Sequence, residues 1–132
     1  MSQENVEIVR RAYEVFNPRE FSRVPDFIAP DIVVDLSRNV FNPATFRGYE
    51  GVEQVVNAVD DAWDNFRFEP EELIDAGDRV VAVVKLSGKV KGSGVPVDQR
   101  DIHVMTIRDG KVTRIEVHRD RAEALEAIGL SE

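Results

Sequence analysis

Asp101 and His103 carry the clearest acid–base potential in this chain. An unperturbed imidazole titrates near neutrality, so it can take or give a proton at physiological pH. Side chains two apart on a strand share a face. A strand through this stretch would therefore place the Asp101 carboxylate beside the ring, to orient His103 or to act as a base itself. A plainer arrangement is a core histidine hydrogen-bonded to a neighbouring element, with Asp101 at a solvated rim. Glu116 and His118 form a second polar pair. Alternation turns them to one face and Ile115 and Val117 to the other. If the apolar pair faces the helices, Glu116 and His118 point outward, and His118 with Arg119 and Arg121 belongs to the surface or to a dimer contact.

Other chemistries lack their residues. The chain has no cysteine, so disulfides, thiolate metal sites and cysteine nucleophiles are excluded. Two histidines and scattered carboxylates show no metal-ligand spacing. Gly88, Gly92 and Gly94 punctuate a hairpin and do not open a helix, so no phosphate loop is present. No serine elbow occurs. Neither a cofactor nor a metal is expected. The net charge of −8 opposes binding to a phosphate backbone, so nucleic acid is not an expected partner. The N-terminus lacks a basic start and an apolar run, and no stretch approaches the ~18 apolar residues of a membrane span. A cytoplasmic protein that does not engage membranes is the expectation. The 132 residues fit one domain, 1–132, at the usual scale of roughly 100–200 residues.

The elements that must hold these residues follow from periodicity. Val6, Val9, Tyr13 and Phe16 recur at helical spacing, and Asn17-Pro18 should stop that helix. A shorter helix from Pro18 to about Phe27 would turn Phe21, Val24 and Ile28 inward, with a break or early end at Pro25. Asp31 to Leu36 reads as a strand, and Ser37 to Gly48, with Asn42-Pro43, as a loop. A third helix from Gly51 would carry Val52, Val55, Val56, Val59, Ala62, Trp63 and Phe66 on one apolar stripe. Strands should run from Phe68 to Ala76 with an interruption at Pro70, Arg79 to Val90, Val95 to Ile107 and Val112 to His118. Turns at Gly77-Asp78, Gly92-Ser93-Gly94 and Asp109-Gly110 make them an antiparallel meander. Asp120 and Glu123 resemble a capping box for a helix from Arg121 to Ile128, closed by Gly129. The order implies an α+β fold with helices on one face of the sheet.

This order resembles the SnoaL-like branch of the nuclear-transport-factor-2-like superfamily. Tyr13-Glu14-Val15-Phe16-Asn17, Ala29-Pro30-Asp31-Ile32-Val33-Val34, Phe46-Arg47-Gly48-Tyr49-Glu50-Gly51, Asp75-Ala76-Gly77-Asp78-Arg79-Val80, the segment from His103 to Val112 and that from Ala122 to Leu130 carry the resemblance. It implies a cone, a bent sheet wrapped around three helices with a short C-terminal helix, and a pocket at the open end. It also implies a homodimer pairing through the outer sheet face. Relatives include ketosteroid isomerases, polyketide cyclases, dehydratases and epoxide hydrolases, and others only bind or assemble, so fold does not select a function. Against the isomerases the trio to test is Tyr13, Asp35 and His103. Tyr13 lies four residues before Asn17 where the isomerase tyrosine lies five before its asparagine. Leu36, not Asp35, falls at the base position, and His103 falls where the donor aspartate would be. A one-residue slip on a strand reverses a side chain's face, which argues against steroid isomerisation. Arg100 and Asp101 are adjacent, whereas the epoxide hydrolase pair lies two apart.

These observations lead to an expectation of cofactor-free acid/base isomerisation, cyclisation or hydration of a small apolar organic molecule. His103 and Asp101 would be catalytic, with Tyr13, Asp35, Trp63, Phe66 and Met105 against the substrate. The alternative is a non-catalytic small-ligand-binding or dimerisation domain.

Overall fold

The computed structural model describes residues 2–38 and 43–129. Its centre is a curved, unclosed six-stranded sheet in the order β2-β1-β6-β5-β4-β3. The strands are β1 (Ile28–Asp35), β2 (Thr45–Arg47), β3 (Trp63–Ala76), β4 (Arg79–Val90), β5 (Pro96–Arg108) and β6 (Lys111–His118). β3 to β6 form the antiparallel meander. β1 joins β6 in parallel, so the sheet is mixed. The expected 37–48 loop contains β2, which pairs with β1; its residues 39–42, Asn42 among them, lie outside the described residues.

Helix α1 (Ser2–Phe16) buries Val9, Ala12, Tyr13, Val15 and Phe16, the face that the helical spacing defines. It ends before Pro18 as expected, and two side chains then fasten its C-terminus. The Asn17 amide donates to the Phe68 carbonyl at 2.8 Å and accepts from the Phe68 N–H at 2.9 Å. Arg19, at φ 62°, donates to the carbonyls of Phe16, Asn17 and Phe66 and forms a two-point pair with Asp60 at 2.9 and 2.7 Å. A guanidinium over the last carbonyls satisfies groups that a helix end leaves without partners. One residue thus ties α1 to β3 and to helix α3 (Gly48–Ala62).

The region after α1 differs from expectation at Pro25. A single 3-10 turn (Phe21–Arg23) leads into the short helix α2 (Val24–Phe27). Pro25 sits in the first turn of α2, where its missing N–H costs nothing, so it starts a helix instead of ending one.

The larger correction concerns Trp63 and Phe66. They fit the stripe of α3, yet the chain passes from Ala62 straight into β3, with Trp63 already extended. A β-bulge explains why helical spacing was mimicked. Trp63 pairs with Val90 and Phe68 with Leu86, so β3 holds one residue more than β4 between these pairs. The bulge at Asn65 (φ 55°) lets Trp63, Phe66 and Phe68 face the same core, although strict alternation would separate Trp63 from the other two. Gly88 accommodates the bulge. A Cβ there would lie 2.9 Å from the Asp64 carbonyl oxygen, and its φ of +143° suits glycine alone. A second bulge between Pro70 and Glu72 is the expected interruption, and it brings Leu73 back to the core side.

The main core lies on the concave face, between α1, α3 and the inward residues of β4, β5 and β6. Helix α4 (Arg121–Ala127) packs on the opposite face, where Ala124 and Leu125 meet Val81, Ile102 and Val104. Helices therefore lie on both faces, because β4 and β5 carry apolar residues at both parities. Asp120 accepts from the Glu123 N–H at 2.8 Å and starts α4, and Gly129 (φ 81°) follows its end.

Candidate functional site

The meander register decides which polar residues meet. His103 lies opposite Ala82 on β4 and Val117 on β6, both at inward positions. The residue is 5% exposed, and its ring lies between α1 and β3. The Tyr13 hydroxyl is 2.7 Å from His103 Nδ1, and the two rings stack at 6.0 Å between centroids. Phe68 meets His103 edge-on at 5.9 Å and Tyr13 at 6.1 Å. Phe66 continues the contact from Phe68 at 4.8 Å, and Trp63 from Phe66 at 4.9 Å. An unbroken aromatic run thus leads from the half-buried Trp63 to the buried imidazole. The Asn17 and Arg19 clamps hold Tyr13 against β3, and the bulge at Asn65 aligns the three β3 aromatics.

Burial sets the charge of the pair. Desolvation lowers the His103 pKa to about 4, partly opposed by the nearby Asp101 carboxylate. Desolvation also pushes Tyr13 well above its ordinary value, with the Asp101 charge acting in the same direction. Both rings are therefore neutral at physiological pH. Asp101 lies on the His103 face, half-buried, and accepts from the Gln99 amide at 3.2 Å. Its charge acts on both rings without a hydrogen bond to either among the described residues. Every fully buried side-chain nitrogen or oxygen among them has a partner. His103 Nε2 has none among the described residues, so this atom is not fully buried.

Met105 follows on the same face and is 1% exposed, packed in the main core. Asp35 is not part of this cluster. It pairs with Glu116 across β1 and β6 on the α4 side of the sheet and is bound there by Arg114 at 2.7 Å and Arg38 at 3.4 Å. Burial would raise its carboxyl, but hydrogen bonds from Ser37 and the two guanidiniums outweigh it and hold the pKa below the usual range.

His118 requires a correction. Glu116 and His118 do point away from α1 and α3, but His118 is not a surface residue. Helix α4 covers it, and its side chain is fully buried. Its Nδ1 lies 3.1 Å from Glu123 and its Nε2 3.4 Å from Glu116. Glu123, the second member of the capping motif, thus reaches His118 as well as Arg38 at 3.6 Å. A helix from Arg121 to Ile128 was expected, but with all helices on one face; the packing of Ala124 and Leu125 on the other face is what buries His118.

Sequence reading also missed Asn17 and Arg19 as positioning residues; the only signal was an asparagine at a helix end. No cluster of metal-ligating side chains exists among the described residues. Two surface hollows of about 430 and 440 Å³ lie near Asp75, one lined by Asp78, Arg79 and Ile128 and the other by Gln3, Val6 and Arg10. His103 lines neither, so neither is the pocket expected at the open end of a cone.

Comparison with known proteins agrees with this architecture. A family model described as a SnoaL-like domain matches residues 9–115. The chain is similar to an NTF2-like protein of unknown function from Burkholderia pseudomallei, with 26% identity, 98% of this chain and 99% of that one covered, and a TM-score of 0.75. It is similar to an NTF2-like protein from Burkholderia thailandensis at 27% identity, with coverages of 87% and 89% and a TM-score of 0.75. It is also similar to TerC, co-crystallised with polyporic acid, at 26% identity, with coverages of 95% and 98% and a TM-score of 0.74. No curated protein matches the chain.

Proposed function

The chain belongs to the SnoaL-like domain family, and from that premise we propose that it binds a small, largely apolar organic molecule on the concave face of its sheet and performs cofactor-free acid/base chemistry on it. His103 is the hydrogen-bonding or proton-transferring group, Asp101 its carboxylate partner, and Tyr13, Trp63, Phe66 and Met105 form the apolar surroundings. Isomerisation, cyclisation and hydration are the reaction classes compatible with such a pair. The observation that carries the proposal is the neutral imidazole at the end of an aromatic run, held at Nδ1 by Tyr13 and without a partner at Nε2 among the described residues. The crystallisation of TerC with polyporic acid supports a small organic ligand. Asp35 is left out of the proposed site because Arg114 and Arg38 occupy its carboxylate on the other face. A cytoplasmic homodimer is part of the proposal, using the sheet surface that α4 leaves uncovered.

A second reading, a non-catalytic binding or assembly domain, is favoured by one contact: Asp101 is engaged by Gln99 and not by His103. Calorimetric titration with a panel of aryl ketones and phenols, followed by turnover assays on any ligand found, separates the two. Binding weakened by His103→Ala, with turnover lost in Asp101→Asn, is the catalytic result. Binding without turnover in the wild type leaves the binding domain, and binding that ignores His103→Ala removes the site.

A further inference from the structure

The proton on the His103 ring can be placed from hydrogen-bond supply. Tyr13 is 2% exposed, and its hydroxyl has a single partner among the described residues, His103 Nδ1 at 2.7 Å. A buried O–H without an acceptor is costly, whereas a phenol oxygen can leave its lone pairs unused at less expense. The acid–base character of the pair acts the same way. A phenol is the better donor and an unprotonated imidazole nitrogen the better acceptor, so O–H···N is the stronger arrangement. Since the ring is neutral, one nitrogen must carry its proton. With Nδ1 accepting, that nitrogen is Nε2, the atom without a partner among the described residues.

We infer that Tyr13 is a positioning residue that fixes His103 in the Nε2–H tautomer, so that the concave face offers a neutral donor to an acceptor oxygen of an aryl-sized ligand. This rests on the reading of the concave face as a small-molecule site, and it assigns His103 the donor role of the two proposed. The aromatic run from Trp63 to Phe68 supplies flat apolar contact for such a ligand.

Nitrogen-15 spectra of the histidine rings in the unmodified protein at neutral pH give the first test. The expected result is a pyrrole-type signal for His103 Nε2 and a pyridine-type signal for Nδ1. The reverse assignment overturns the inference, whatever the protein binds. A Tyr13 that acted only through packing of its ring would not fix this signature, and in Tyr13→Phe, which keeps the ring and removes the hydroxyl, the single-tautomer pattern should give way to a mixture. The second test titrates two isosteric probes, 2-acetylnaphthalene and 2-isopropenylnaphthalene, while following the Nε2 signal. The ketone should bind about tenfold more tightly, the scale of one net hydrogen bond, and shift that signal. Equal affinity overturns the ligand assignment. If the tautomer is as stated but neither probe binds, the small-molecule reading of this face falls with it. If both probes bind while Nδ1 carries the proton, that reading stands and the inference alone fails.

Discussion

Acidification should destabilise this protein through His103 before the carboxylates become protonated. The ring is neutral in the folded state because burial lowers its pKa to about 4 from an ordinary 6.5. The unfolded chain therefore binds a proton on this residue that the folded chain rejects. Stability is unaffected above pH 6.5, falls as the pH drops through the window from 6.5 to about 4, and levels off below it. Across the full window the loss is about 3 kcal/mol, and between pH 7 and pH 5 it is about 2 kcal/mol. The upper part of the window is the informative part. Asp35 and Asp60 have lowered pKa values in the folded state, so their contributions are lost only at lower pH. Urea unfolding of the wild type and His103→Gln at pH 7, 6 and 5 measures the effect, and the difference between the two proteins cancels what the other groups do. The wild type should lose about 2 kcal/mol more than the variant over that range. Parallel pH dependence in both proteins would refute the argument that His103 is buried and neutral.

Gly88→Ala should lower stability by about 1–3 kcal/mol in denaturant unfolding, because alanine is strained at this φ and its Cβ would press on the Asp64 carbonyl. The same variant should disturb Phe66 and Phe68, visible as altered near-ultraviolet circular dichroism. Leu125→Ala should cost about 2–3 kcal/mol and speed proteolysis near α4, since Leu125 and Ala124 join that helix to the convex face. An unchanged cleavage pattern would mean that α4 is held by its ion pairs instead.

The meander was legible because its turns are marked by glycine and aspartate and the runs between them are long and rich in β-branched residues, with side chains two apart sharing a face. Arg79 to Val90 has the expected limits. The pairing of Asp101 and His103 on one face was legible for the same reason. Tyr13 could be placed on the buried side of α1, but its contact with His103 spans 90 residues, which no local spacing reports. Trp63 and Phe66 were misassigned to α3 because a one-residue bulge moves side chains to one face at intervals that resemble a helix. His118 was misplaced because alternation gives the face of a side chain and not what covers that face. Asp35 could not be separated from the cluster by residue type, since the same carboxylate serves a binding site or an Arg114 ion pair equally well. Arg19 had no sequence signal, because its five donors are used on three separate segments.

The proposed role of the concave face depends on whether His103 Nε2 meets a ligand. A crystal structure of the protein soaked with 2-acetylnaphthalene measures this directly. The expected result is the ketone oxygen within hydrogen-bond distance of His103 Nε2, with the ring system against Phe68. Density for the ketone only elsewhere, with Nε2 sealed by protein side chains, would contradict the account.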